Sequence, residues 1–152
     1  MADARAKLAE LGLQLPPVVP PVAAYVPAVR SGNHVYVSGQ LPMVDGKLPA
    51  TGKVGAEVSA DDAKAMARQC ALNALAAVDS VAGLDAVTRV VKVGGFVAAA
   101  EGFTAIPGVI NGASELFGAV FGDAGRHARS AVGVAELPLG APVEVDVIFE
   151  VA

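Results

Sequence analysis

Near the C-terminus the chain reads "GRHARSAVGVAELPLGAPVEVDVIFEV", residues 125–151, and two of its side chains are of types that could do chemistry. Arg129 carries a planar guanidinium, which can grip a carboxylate through two parallel hydrogen bonds. Glu144 carries a carboxyl group, which can move protons to and from a reacting centre. Position alone gives each a plainer reading. Arg129 is then a rim residue beside His127, and Glu144 one acid of a solvated sheet face, because Asp146 and Glu150 follow it at strand spacing.

Other chemistries are poorly supplied. Cys70 is the only cysteine, so a CxxC metal or redox motif is excluded, and a reducing cytoplasm is the expected setting. The two histidines, His34 and His127, lie far apart in sequence, and no metal site built on His and Cys is expected. No GxSxG elbow supports a serine nucleophile. The net charge is -4, with 11 Lys plus Arg against 15 Asp plus Glu and no Trp. That balance disfavours nucleic acid, which calls for basic patches and stacking aromatics.

The elements that must position these residues can be read along the chain. Its 152 residues suit one domain with a real core. Hydrophobic residues make up 54% and charged residues 17%. Yet no membrane-spanning helix is expected: "LPPVVPPV" has four prolines between Pro16 and Pro21, and the other apolar runs are broken by Gly, Asp, Lys or Arg. Excess apolar surface without a membrane segment predicts a homo-oligomer. Residues 1–22 read as an appendage, a short helix over Ala2–Gly12 and then a Pro-rich spacer, before a single domain over 23–152.

Ala24–Arg30 and His34–Ser38 read as strands joined at "SGN", and a Gly- and Pro-rich loop follows them. Ser59 caps the clearest helix, with Asp61 and Asp62 in its first turn and Gly83 at its end. Val87–Val97 reads as a buried strand, and Phe103–Phe121 as a second helical segment. Two strands close the chain. The order β-β-helix-β-helix-β-β predicts an α+β fold, a mixed sheet with two helices packed on one face. Val143, Val145, Val147, Phe149 and Val151 form the row that must meet the helices. Ala131–Ala135 are small, and are expected to leave room for a ligand or a neighbouring subunit.

Three stretches, taken in order, resemble the RidA (YjgF) family, also labelled L-PSP endoribonuclease. "GNHVYVSGQLP" is similar to its early motif, "VVKVGGFV" to its middle strand and "ARSAVGVAELPLGAPVEVDV" to its terminal signature. The likeness runs from about Tyr25 to the end. It implies a chorismate-mutase-like subunit assembled as a homotrimer with sites in the clefts between subunits. It also implies hydrolysis of reactive 2-imino acids, such as 2-iminopropanoate and 2-iminobutanoate, to 2-keto acids and ammonia, without metal or organic cofactor. By motif position Arg129 anchors the substrate carboxylate, Glu144 handles water, and Tyr25 is the pocket tyrosine. Ser38 and Gly39 line the pocket, and Ala131 offers its backbone N–H.

The sequence departs from the family pattern at Val26 and Pro27, where Ser-Gln is usual, and at Ala131, where cysteine is common in the deaminase branch. The pattern is that of a divergent subfamily. A non-catalytic trimer that binds a small carboxylate is the alternative, and an endoribonuclease ranks below both.

The chemistry is self-consistent. An arginine fixes the carboxylate and thereby the adjacent C=N, and one carboxyl serves both proton transfers, so no covalent nucleophile is required. If "PLGAP" closes an antiparallel hairpin with Leu137 opposite Val143, Glu144 lies about seven residues from the level of Arg129, roughly 23 Å. The two would then meet only across a subunit boundary.

Overall fold

The structure, a computed structural model, describes residues 3–152. A five-stranded sheet has the order β1-β2-β5-β3-β4. Its strands are β1 (Ala28–Ser31), β2 (His34–Gln40), β3 (Val87–Ala98), β4 (Ala128–Val134) and β5 (Val143–Val151). Three α-helices accompany it: α1 (Ala4–Glu10), α2 (Ala60–Ala82) and α3 (Ile106–Phe121). The expected short N-terminal helix is α1, and its Ala4 and Leu8 join the core. No helix among the described residues is long and apolar enough to cross a membrane.

The capping chemistry of α2 follows its sequence. The Ser59 side chain accepts from Asp62 N–H at 3.1 Å, and Gly83 ends the helix at a φ of 86°. Its apolar stripe, from Ala63 through Cys70 to Val78, is buried against the sheet. Burial alternates strictly along β5, so the odd-numbered row from Val143 to Val151 faces the helices. Phe149 packs edge-on against Phe117 of α3 at 5.9 Å between ring centroids. The α2 and α3 backbones meet at Gly112, where an added Cβ would strike the Lys64 carbonyl.

Two expectations about the strands are corrected. The first strand begins at Ala28 rather than Ala24, because Pro27 has no N–H to give a ladder. The final two strands are not a hairpin. β4 pairs in parallel with β3 (Arg129 beside Val93), β5 pairs antiparallel with β3 (Val147 beside Val93), and β3 therefore separates them. Pro138–Gly140 forms a single 3-10 turn that carries the chain across β3. Parallel strands need a crossover, and α3 supplies it in a β3-α3-β4 unit.

The small residues of β4 also have a different cause. A Cβ on Gly133 would lie 3.0 Å from Ile106 Cδ1, one on the neighbouring Gly95 would lie 2.6 Å from Ile110, and Ala131 packs against the core. The row of small side chains makes room for α3 of the same chain.

Candidate functional site

The structure gathers four of the six candidate residues into one cleft of about 460 Å³, lined by Tyr25, Ser38, Gly39 and Glu144. Arg129 and Ala131 stand elsewhere, two strands away on edge strand β4. From the register, Arg129 lies level with Val93 and Glu144 with Phe96, so their Cα atoms are roughly 14 Å apart. They also leave opposite faces of the sheet. Arg129 turns toward α3, whereas Glu144 alternates with buried Val143 and Val145. The conclusion that they do not share a small ligand within one chain therefore stands, on a different geometry from the hairpin.

The cleft forms where β2 breaks its register. Pairing with β5 shifts between Val37 and Gln40, and Gly39 lies in that irregularity. A methyl group on Gly39 would overlap Glu144 Oε2 and come within 2.8 Å of its Cδ, so the absence of a side chain there lets the carboxyl lie over the strand. Ser38 ties the segment before β1 to this edge: its Oγ donates to the Val26 carbonyl at 2.6 Å and its N–H to the Pro27 carbonyl at 2.9 Å. The Tyr25 hydroxyl accepts from Val22 N–H at 3.4 Å. Val19, Pro20, Val22, Leu41, Met43 and Pro138 make the remaining wall largely apolar.

Electrostatics single out Glu144. Burial, and then the charge of Asp146, push its carboxyl above the usual carboxylate range. Asp146 is raised by burial too, but a Gly94 backbone hydrogen bond and Lys92 pull it partly back. Burial, reinforced by the charge of Glu144, pushes the Cys70 thiol up, consistent with a small core residue kept neutral. No group of three or more His, Cys, Asp or Glu among the described residues could hold a metal ion.

Arg129 is held on the other side of the sheet by partners that the sequence reading passed over. Its Nη1 donates to Asn111 Oδ1 at 2.9 Å and to Ser114 Oγ at 3.2 Å, and its Nη2 to the Pro107 carbonyl at 3.3 Å. Ser114 Oγ lies 2.8 Å from His127 Nε2, and His127 Nδ1 lies 2.6 Å from the Gly125 carbonyl. Asn111 and Ser114 are three apart on a helix, a spacing that puts both on one face. That spacing was the available signal, masked by the apolar residues around it. Asn73 was missed as well. It is wholly buried in α2 and donates to the Leu41 and Met43 carbonyls at 3.0 and 3.1 Å, pinning the loop that walls the cleft.

Chemically, one half offers a protonatable carboxyl in an apolar cleft, and the other a guanidinium fork fixed at the sheet edge. The chain is similar to known proteins over most of its length. The family model described as Endoribonuclease L-PSP matches residues 17–151. The chain is 47% identical over 147 residues to Protein TCP17 of Trypanosoma cruzi, covering 95% of this chain and 92% of that one. It is 37% identical to the 2-iminobutanoate/2-iminopropanoate deaminase of Dermatophagoides farinae, covering 87% and 90%. Among solved structures, the protein Atu1372 of Agrobacterium tumefaciens, of unknown function, superposes with a TM-score of 0.88 at 47% identity, covering 97% and 91%.

Proposed function

The chain belongs to the L-PSP endoribonuclease family, the RidA (YjgF) group with its chorismate-mutase-like fold, and from that premise we propose that it is a deaminase of reactive 2-imino acids. The observation that carries this reading is Glu144, a carboxyl with raised proton affinity beside Tyr25, Ser38 and Gly39 in an otherwise apolar cleft. The relative from Dermatophagoides farinae, named for this activity, adds support.

In the proposed mechanism Arg129 grips the substrate carboxylate and Glu144 of an adjoining subunit faces the C=N carbon. Water adds to that carbon as its proton passes to Glu144, and the carboxyl delivers a proton to nitrogen. The carbinolamine loses ammonia as its hydroxyl proton returns through Glu144, leaving the 2-keto acid. A hydrophobic cleft suits this exchange, since burial raises the proton affinity of the carboxyl above the usual carboxylate range. Glu144 is the only ionisable carboxyl among the cleft residues, so small uncharged side chains, as in 2-iminopropanoate and 2-iminobutanoate, fit the site. Arg129 and Glu144 leave opposite faces of one sheet and need a second copy to meet, and the family resemblance makes the proposed assembly a homotrimer.

The test is direct. Protein added to enzymatically generated 2-iminopropanoate should accelerate its decay to pyruvate, and Arg129→Ala should strongly reduce the acceleration while the assembly persists. Decay that is unchanged by wild-type protein sinks the reading. Binding of a 2-keto acid without turnover would instead identify a carboxylate-binding module.

A further inference from the structure

We infer that His127, acting through Ser114, is a positioning residue for the Arg129 guanidinium. The inference rests on the proposed role of Arg129 as a carboxylate anchor and assigns a task to two residues that the proposed chemistry does not touch.

The hydrogen atoms can be placed by elimination. A carbonyl oxygen only accepts, so the contact at 2.6 Å between His127 Nδ1 and the Gly125 carbonyl puts the proton on Nδ1. When the ring is neutral Nε2 is then the acceptor, and the partner at 2.8 Å, Ser114 Oγ, donates its hydroxyl proton to it. With that proton committed, the lone pairs of Oγ are left for Arg129 Nη1 at 3.2 Å. The result is a head-to-tail series, Arg129 to Ser114 to His127 to Gly125, in which each N–H or O–H used has one acceptor.

Both ends of the series are rigid. An added Cβ on Gly125 would come within 2.8 Å of the Phe117 carbonyl carbon, so its backbone runs hard against α3 and its carbonyl is fixed. Phe117 also packs edge-on against the His127 ring at 6.1 Å between centroids. At the other end Asn111 and Ser114 occupy both Nη1 hydrogens, and the Pro107 carbonyl takes one of Nη2. With the Pro107 carbonyl on the Nη2 hydrogen remote from Nε, the remaining edge, Nε–H with the second Nη2–H, is the pair of parallel donors that a carboxylate accepts side-on. Without the imidazole acceptor the Ser114 hydroxyl can turn its proton elsewhere, and the fork loses the contact that orients this edge.

The experiment compares wild type with Ser114→Ala, Ser114→Thr, His127→Asn and the Ser114→Ala/His127→Asn double variant, using 2-oxobutanoate as the probe. Asn at 127 keeps a donor for the Gly125 carbonyl and removes the acceptor for Ser114, and Thr at 114 keeps the hydroxyl. Each of Ser114→Ala and His127→Asn should weaken binding about fivefold to tenfold, the double variant no further, and Ser114→Thr should restore it. Nitrogen NMR should find His127 protonated on Nδ1, and the Arg129 Nε–H signal should lose exchange protection in the same two variants.

Multiplicative losses, or an unchanged Arg129 signal in His127→Asn, would overturn the inference. Failure of wild type to bind any 2-oxo acid would count against the proposed function instead, while the Arg129 signal would still decide the relay.

Discussion

The two halves of the site are built on opposite principles. Glu144 is accommodated by what is missing: Gly39 has no side chain to displace it, and Gly94 makes the same allowance for Asp146. Among the described residues neither hydrogen bond nor cation offsets the burial of Glu144, and its proton affinity rises. Arg129 is held by what is present, with three acceptors from α3 arranged around one end of the guanidinium. In the proposed mechanism the group that changes protonation is left electrostatically unsettled, and the group that only holds still is tied down. The contrast explains why one half is an open cleft and the other a packed corner.

Substitutions can break this contrast, the largest effect falling on the acid. Glu144→Gln keeps the shape of the side chain and removes the proton shuttle, so turnover of 2-iminopropanoate should fall about 10²- to 10⁴-fold with little change in 2-oxobutanoate binding. The same variant should be more stable than wild type at neutral pH. Because the folded pKa is raised, folding takes up a proton, and stability is highest below the ordinary carboxylate range and declines as pH rises through the folded pKa. Gln removes that decline. Its advantage in melting temperature should therefore vanish near about pH 4.

Arg129→Ala should cost about 10²- to 10³-fold in kcat/KM, with much of the loss appearing in substrate binding, and Lys should not restore the lost bidentate contact. Gly39→Ala tests the idea of accommodation by absence. Its methyl group should push the carboxyl aside and lower kcat/KM about tenfold, with a stability loss of about 1–3 kcal/mol read from denaturant midpoints. The smallest expected effect is that of Asp146→Asn. Removing the neighbouring charge should move the Glu144 limb of the pH–rate profile to lower pH, and an unmoved limb would mean that burial alone tunes the acid.

Local signals in the sequence carried far. Ser59, the paired aspartates and Gly83 marked α2, and the alternation of β5 marked which row faces the helices. Long-range pairing was the part that failed. A short Pro- and Gly-containing link between two strands has the chemistry of a hairpin, and nothing local says that β3 will slide between them. The pairing is decided by α3, which returns β4 parallel to β3, and by the close approach of Ile106 and Ile110 to Gly133 and Gly95. Composition along β4 was therefore read correctly as small and assigned the wrong neighbour. The proposed roles of Arg129, Glu144 and Tyr25 rest on ordered motifs. Asn73, Ser114 and His127 were not legible in sequence, because their importance lies in partners 13 to 32 residues away in the chain.

Cys70 gives the molecule a built-in clock. It is the chain's only cysteine, fully buried in α2 against the sheet, and its thiol is held neutral. A thiol-directed dye can therefore react only when α2 lifts from the strands, and its labelling rate reports how often that happens. The unmodified protein thus carries one address for timing its own breathing, beneath the sheet that bears Glu144.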